Sequence, residues 1–180
     1  MRQLGQKRTK DLPNVVWGEG IGEATGLPYD SFDIVTFGSS FNVCDREAAL
    51  IETARILKSN GWFACMWNHR QLNDPIQFNI ENIIKNHIPA YDYGARREDQ
   101  TDTIERSKLF NSAIYLSSSI IHEQGIDECL KAWKSHATLE RQAGASFKKI
   151  IKDIKGYLKN LGNRKILVPY KTNIWLAQKK

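Results

Sequence analysis

The stretch Gly18 to Trp67, reading GEGIGEATGLPYDSFDIVTFGSSFNVCDREAALIETARILKSNGWFACMW, leaves few folds open to the chain. Phe32 to Phe37 (FDIVTF) is an apolar run broken by Asp33 and Thr36, the pattern of a strand covered on both faces. Small residues, Gly38-Ser39-Ser40, follow it. Asp45 then offers an N-cap, with Glu47 in the first turn where the helix dipole favours an acid. Leu50, Ala54 and Leu57 recur at helical spacing with Ile51 beside them, and Arg55 and Lys58 stand near the C-terminus. The pattern predicts a helix over Asp45 to Lys58, ended at Asn60-Gly61 by a residue that tolerates positive φ. A second apolar strand runs from Trp62 to Trp67. Strand, helix, turn and strand in this order form a right-handed βαβ unit with a parallel pair, half of a doubly wound α/β sheet. Ligands of such sheets lie beyond the carboxyl ends of the strands, where small residues let the backbone approach them.

Upstream, residues 1–13 are polar and basic, and Asn14 to Trp17 (NVVW) reads as a brief strand. Gly18-Glu19-Gly20-Ile21-Gly22 looks like a phosphate loop, but such a loop must lead into a helix whose N-terminus faces the phosphates. Here it leads to Gly26-Leu27-Pro28 and a turn at Asp30-Ser31, which argues against that reading. Downstream, Asn68 to Asn111 changes character. It holds Pro75, Pro89, Tyr91, Tyr93, the charged run Arg96-Arg97-Glu98-Asp99 and one helix over Pro75 to His87, and it reads as a lid over the strand ends. A strand is expected over Ala113 to His122 and helices over Ile126 to His136 and Ser146 to Leu161. The last helix carries an apolar stripe (Phe147, Ile150, Ile151, Ile154, Leu158) and a lysine stripe. Lys165 to Gln178 reads as two short β pieces around Pro169, a final antiparallel hairpin at the sheet edge. The expected organisation is one domain over residues 1–180, with a core at 14–67, a lid at 68–111 and C-terminal strands and helices at 112–180.

The net charge of +6 is uneven, with ten Lys/Arg against Asp153 alone between Phe147 and Lys180. Basic ends can attract nucleic acid or anionic lipid. Without basic and aromatic residues alternating as a base-stacking platform needs, they read here as solvated faces, so a nucleic-acid partner is not favoured. Cys44, Cys65 and Cys129 are far apart, and no Cys/His spacing suits a metal, so buried small hydrophobes are expected. With no apolar leader or long apolar span, the expectation is a cytoplasmic protein with no membrane partner.

Several features of Glu19 to Arg70 recur together, in order, in one family. They are Glu23-Ala24, Leu27-Pro28, Ser31-Phe32-Asp33, Gly38 to Asn42, Asp45, Ala54 to Lys58 and Asn60-Gly61. In this the chain resembles the class I S-adenosylmethionine-dependent methyltransferases of the type 11 kind, and the late helix and closing strand before Lys180 are similar too. The resemblance implies a Rossmann-like α/β sheet, mostly parallel with an antiparallel C-terminal edge strand, and S-adenosylmethionine as cofactor. It also implies a small-molecule acceptor. Glu23 and Ala24 would border the adenine, and Phe37, Gly38 and Ser39 would border the cofactor from the other side. Where many relatives carry His-Trp, this chain has Asn42-Val43. The family's glycine-rich loop and the acidic residue that holds the ribose would precede Met1, so the fold is expected to be N-terminally incomplete. The Asn14–Trp17 strand would then lack a neighbour, apolar surface would be exposed, and a partner fragment or oligomer would be needed for full stability.

Methyl transfer from a sulfonium is an in-line displacement, so alignment and exclusion of water are the protein's main contributions. A general base is needed only for a nucleophile that must lose a proton, and no residue is assigned as catalytic. His69, just past a strand end, and His136, in Trp-Lys-Ser-His, could reach an acceptor or be structural. Trp67, Tyr91 and Trp133 could line a pocket or pack the core. A non-catalytic remnant or interaction module with the same fold is the alternative function.

Overall fold

The computed structural model describes residues 2–162 and 165–180. Its centre is a four-stranded mixed sheet in the order β1-β2-β4-β3. Strand β1 (Phe32–Gly38) lies parallel to β2 (Leu57–Arg70), and α2 (Arg46–Ile56) crosses between them after a short helix α1 (Arg2–Arg8). Strand β4 (Lys165–Gln178) runs antiparallel to β2 on one side and to β3 (Ile114–Gly125) on the other. Between β2 and β3 the chain forms α3 (Pro75–His87), a 3-10 turn at Gly94–Arg97 and α4 (Thr101–Arg106). Helices α5 (Ile126–Lys134), α6 (Ala137–Ala143) and α7 (Phe147–Asn160) connect β3 to β4. The α/β class expected from the sequence is therefore the one observed.

Alternation along the strands divides the core into two layers. Phe63, Cys65 and Trp67 of β2, with Trp175 and Ala177 of β4, pack under Ala49, Leu50 and Ala54 of α2 and Ile104 of α4. On the opposite face Ile166 and Val168 of β4 meet the second helical layer, including Ile80 and Ile84 of α3, Trp133 of α5 and Ile150 and Ile154 of α7. The amphipathic stripe of α7 buries Ile150, Ile154 and Leu158 as the sequence pattern required, with Lys148, Lys152, Lys155 and Lys159 turned outward or to its flanks. Helix α2 begins as expected, because Asp45 accepts hydrogen bonds from the Glu47 and Ala48 N–H groups, both at 3.1 Å.

A buried carboxylate ties this helix to the loop before β1. Glu52, 7% exposed, accepts from the Thr25 N–H at 2.8 Å, from the Thr25 hydroxyl, and from Arg55 Nε at 2.7 Å. Arg55 donates onward to the Leu27 carbonyl at 2.7 Å and stacks over the Tyr29 ring at 4.4 Å. One ion pair thus holds the Leu27-Pro28 turn against the helix and sets where β1 starts. Gly20 and Gly22 serve the same loop by close approach. A Cβ would lie 2.7 Å from the Thr25 carbonyl oxygen at Gly20 and 2.6 Å from Cys44 Sγ at Gly22.

Several details depart from the sequence expectation. Asn14 to Trp17 forms no strand. The Trp17 indole packs onto Gly5 of α1 and donates to Thr9 Oγ1 at 2.8 Å, leaving Val16 92% exposed. Strand β1 is not covered on both faces, for Ile34 is 55% exposed and β1 is an edge of the sheet among the described residues. Helix α2 ends at Ile56, not Lys58, because Leu57 turns into the sheet opposite Phe32 with its side chain fully buried. Asn60 does take positive φ, but in a bulge between Leu57 and Trp62 rather than at the helix end. The C-terminal segment is one strand inside the sheet, not an edge hairpin, and β3 forms the edge. Pro169 is tolerated there because its carbonyl, and so its missing N–H, points past the end of β2, where the Gln71 N–H donates at 2.9 Å. Only one of the three strand pairings is parallel.

Removing the Glu52 charge isolates its contribution. The Arg55 and Thr25 hydrogen bonds, acting against the cost of burial, hold the Glu52 carboxyl down at about 2, from an ordinary value of 4.5. A depressed acid stabilises the fold fully above its unfolded value, and that contribution disappears as pH falls from 4.5 towards 2. Glu52→Gln should therefore cost about 2 kcal/mol at pH 7 in denaturant unfolding, with the gap to the parent protein narrowing below pH 4.5. A gap independent of pH would contradict this account.

Candidate functional site

Two concave regions lie at or beside the carboxyl ends of the parallel strands. The first is a groove of about 830 Å³ along the open side of β1, between Ile34, Thr36 and Phe37 on one wall and Gly18 to Gly22 on the other. Its lining is largely apolar, with Leu27 and Phe32 at one end and the Glu19 carboxylate on the loop wall. The loop folds back on itself through paired hydrogen bonds between Ile21 and Ala24. No helix begins there, as the sequence required.

Of the five residues singled out for the cofactor, the structure puts Phe37 in this groove, 9% exposed and edge-on to Phe41 at 5.3 Å. Glu23 stands at the helix entrance, where Oε1 accepts from the Asp45 N–H at 2.6 Å, and Ala24 is exposed on the turn beside it. Gly38 is exposed at the end of β1, with open space where a Cβ would stand. Ser39 takes φ 54° and donates its N–H to the Met66 carbonyl at 2.8 Å, which turns the chain away from the sheet. Glu23, Ala24, Gly38 and Ser39 flank the groove without lining it. Asn42, at the position where the sequence departs from its look-alikes, accepts from the Trp67 indole at 2.9 Å, while Val43 is 71% exposed.

The second region lies past the carboxyl end of β2, beneath the 3-10 turn at Gly94–Arg97. It comprises an inner cavity of about 20 Å³ bounded by His69, Arg70, Arg96 and His136, and an outer groove of about 250 Å³. The outer groove shares His69, Arg70 and Arg97 with the inner cavity and adds Gln71, Asn73 and Lys171. Arg70 stacks on the Trp133 ring at 4.4 Å and Arg97 on Tyr93 at 4.3 Å. Arg97 also donates to the Arg70 carbonyl at 3.0 Å. His136 caps α6 by accepting from the Leu139 N–H at Nδ1, 3.2 Å away. Burial first, and then nearby arginines, lower both histidines from 6.5 to about 4, so both are neutral near pH 7.

His69 and His136 were visible in the sequence as candidates, and the structure brings them to one cavity. Arg70, Arg96 and Arg97 were not singled out. The doublet Arg96-Arg97 was hidden by the acids that follow it, yet Glu98 pairs instead with Arg46 and Asp99 accepts from the Trp175 indole. Trp67, Tyr91 and Trp133 are core residues, each less than 5% exposed, with Trp133 also forming the floor under Arg70. Cys65 and Cys129 are fully buried, and burial raises the pKa of both thiols.

Residues 1–65 match the family model described as a methyltransferase domain. The demethylmenaquinone methyltransferase of Staphylococcus saprophyticus is 38% identical over 69 residues, 37% of this chain and 29% of that protein. An uncharacterised methyltransferase of Schizosaccharomyces pombe is 39% identical over 66 residues, 37% of this chain and 26% of that one. The matches thus span less than a third of either relative. Over the whole chain the fold is similar to a candidate methyltransferase of Bacillus halodurans, with a TM-score of 0.54 at 14% identity, covering 98% of this chain and 78% of that one. The YcgJ protein of Bacillus subtilis gives the same TM-score at 18% identity, covering 100% and 78%. The methyltransferase resemblance read from the sequence therefore holds over the first third of the chain, and the whole chain shares its fold with these structures.

A histidine whose pKa is lowered on folding stabilises the fold fully above its unfolded value, and that contribution is lost as pH falls towards its folded value. Between pH 6.5 and about 4, His69 and His136 should each withdraw on the order of 2 kcal/mol of stability. His136→Asn keeps a capping side chain and removes one of these titrations. Its stability should fall less steeply over that window in urea unfolding, and an unchanged slope would show that His136 is not held neutral.

Proposed function

We propose that this chain forms the acceptor side and the adenosine-facing side of an S-adenosylmethionine-dependent methyltransferase acting on a small molecule. The observation that carries the reading is a coincidence of place. The residues that match the methyltransferase domain, 1–65, include those that line the groove beside β1. That groove has the size and apolar walls of a small-molecule site, and its lining suits a flat, apolar ring such as adenine. In this reading Glu23, Ala24, Phe37, Gly38 and Ser39 border the adenosyl group, with Gly38 leaving room for close approach. When bound, the cofactor supplies an activated methyl group on sulfur.

The chain's own residues align the acceptor and shield it. The segment 68–111 covers the end of β2 and, as the lid, restricts access of water. His69 and His136, with values of about 4, are poor proton acceptors near pH 7, so their roles are to position rather than to abstract. This suits an acceptor nucleophile that needs no strong base. A second reading, a non-catalytic module that keeps the fold, draws support from one observation. Among the described residues no glycine-rich loop leads into a helix to hold the methionine end of a cofactor.

The two readings separate in calorimetry and thermal melting with S-adenosylhomocysteine. A ligand at about a hundred times its dissociation constant should add roughly 2.7 kcal/mol of stability, with saturable heat. Gly38→Leu, which fills the open space at the end of β1, should weaken binding about tenfold or more without lowering the melting temperature of the free chain. A folded chain that shows no saturable heat would rule out the methyltransferase reading for this chain and leave the module.

A further inference from the structure

The second region carries more positive charge than anything around it balances. Among the described residues, none of Arg70, Arg96 and Arg97 forms an ion pair with a carboxylate. The inner cavity and the outer groove contain no acidic residue in their linings, while Lys171 adds a fourth cation at the outer rim. The nearest buried acid, Glu81, is satisfied elsewhere, accepting from the Tyr93 hydroxyl at 2.7 Å and pairing with Lys85 at 3.4 Å. Like charges gathered at a partly desolvated site cost free energy unless a counter-charge is present.

The hydrogen bonding points the same way. His136 uses Nδ1 as an acceptor, so in its neutral form the ring proton sits on Nε2. That Nε2 faces Arg96 Nη1 at 3.5 Å, which sets two donors against each other with no acceptor between them. Arg70 Nε and Arg96 Nε are buried without any partner. A buried donor without an acceptor is unfavourable, so the unpaired arginine donors and the facing His136 and Arg96 call for a ligand rich in acceptor oxygens. The inner cavity holds about one oxygen, and the outer groove holds the body of a small anion.

We infer that Arg70, Arg96, Arg97 and His136 form an oxyanion-binding site that holds a carboxylate or phosphoryl group of the substrate. One oxygen enters between His136 and Arg96, and the remainder rests on the planar guanidinium forks of Arg70 and Arg97, which the aromatic rings of Trp133 and Tyr93 hold flat. Arg96 and Arg97 come from the segment over the strand end and Arg70 from β2, so an anion would also bridge the lid to the sheet. As a statement about the methyl acceptor this rests on the methyltransferase reading above. It gives that reading a substrate class, an acidic small molecule.

The test uses the full chain without any methyl donor, so its outcome does not depend on cofactor binding. Inorganic phosphate and acetate are titrated separately at constant ionic strength, followed by calorimetry and melting temperature. At least one should bind saturably, and which of the two binds more tightly distinguishes a phosphoryl from a carboxylate ligand. Arg96→Gln should weaken that binding tenfold or more. Because Arg96 is largely enclosed and its loss could disturb the lid, Arg97→Gln, at an exposed position, provides a second variant with an expected loss of about fivefold and an unchanged fold. Lys10→Gln, in the distant N-terminal segment, should leave binding as it was. Heat that does not saturate, or affinity unchanged in both arginine variants, would overturn the site. Saturable phosphate binding without S-adenosylhomocysteine binding would keep the anion site and discard the methyltransferase reading.

Discussion

Strand β2 has a parallel neighbour on one side and an antiparallel neighbour on the other, and the placement of both concave regions follows from that. A parallel partner demands a crossover, which α2 supplies, and it aligns the carboxyl ends of β1 and β2 at the same edge. An antiparallel partner on the far side, β4, returns to the opposite end and leaves that edge free for loops. The fourteen residues of β2 extend past the end of β1, so the strand delivers His69 and Arg70 beyond the level of the first groove. Two regions of different chemistry therefore sit side by side, one apolar along β1 and one cationic past β2.

The Glu52 and Arg55 pair connects this backbone arrangement to the loop chemistry. Without a buried charge joining Thr25, Leu27 and Tyr29 to α2, the glycine-bearing loop would have no fixed distance from β1. The cost of burying that carboxylate is offset because each oxygen has a partner, the condition under which buried ion pairs persist. The exposed apolar side chains Ile34, Ile114 and Leu116 are the opposite case. They share the sheet face that the second helical layer covers only towards Ile166 and Val168.

The legible parts of the fold were those fixed by local chemistry. Asp45 and Pro75 announced helix starts, the 3.6-residue stripe of Phe147 to Leu158 announced α7, and FDIVTF announced β1. Asn14 to Trp17 failed because an apolar run specifies only burial, and a nearby helix, α1, offered the indole a partner that no periodicity reveals. Pro169 misled because its missing N–H matters only if a neighbour faces it, which depends on where β2 stops. The arginine cluster was invisible for a related reason. Arg70 lies 26 residues before the Arg96-Arg97 doublet, and the acids that follow the doublet, Glu98 and Asp99, turn to other partners in space.

The proposed adenosine groove beside β1 and the proposed anion site past β2 are separate regions. Amide hydrogen exchange with S-adenosylhomocysteine alone, and with inorganic phosphate alone, tests this separation most directly. The nucleoside should slow exchange in Ile21 to Gly26 and Phe37 to Asn42, whereas phosphate should slow it in His69 to Gln71 and Gly94 to Glu98. Protection of the same segments by both ligands, or of neither set by either, would contradict the proposal.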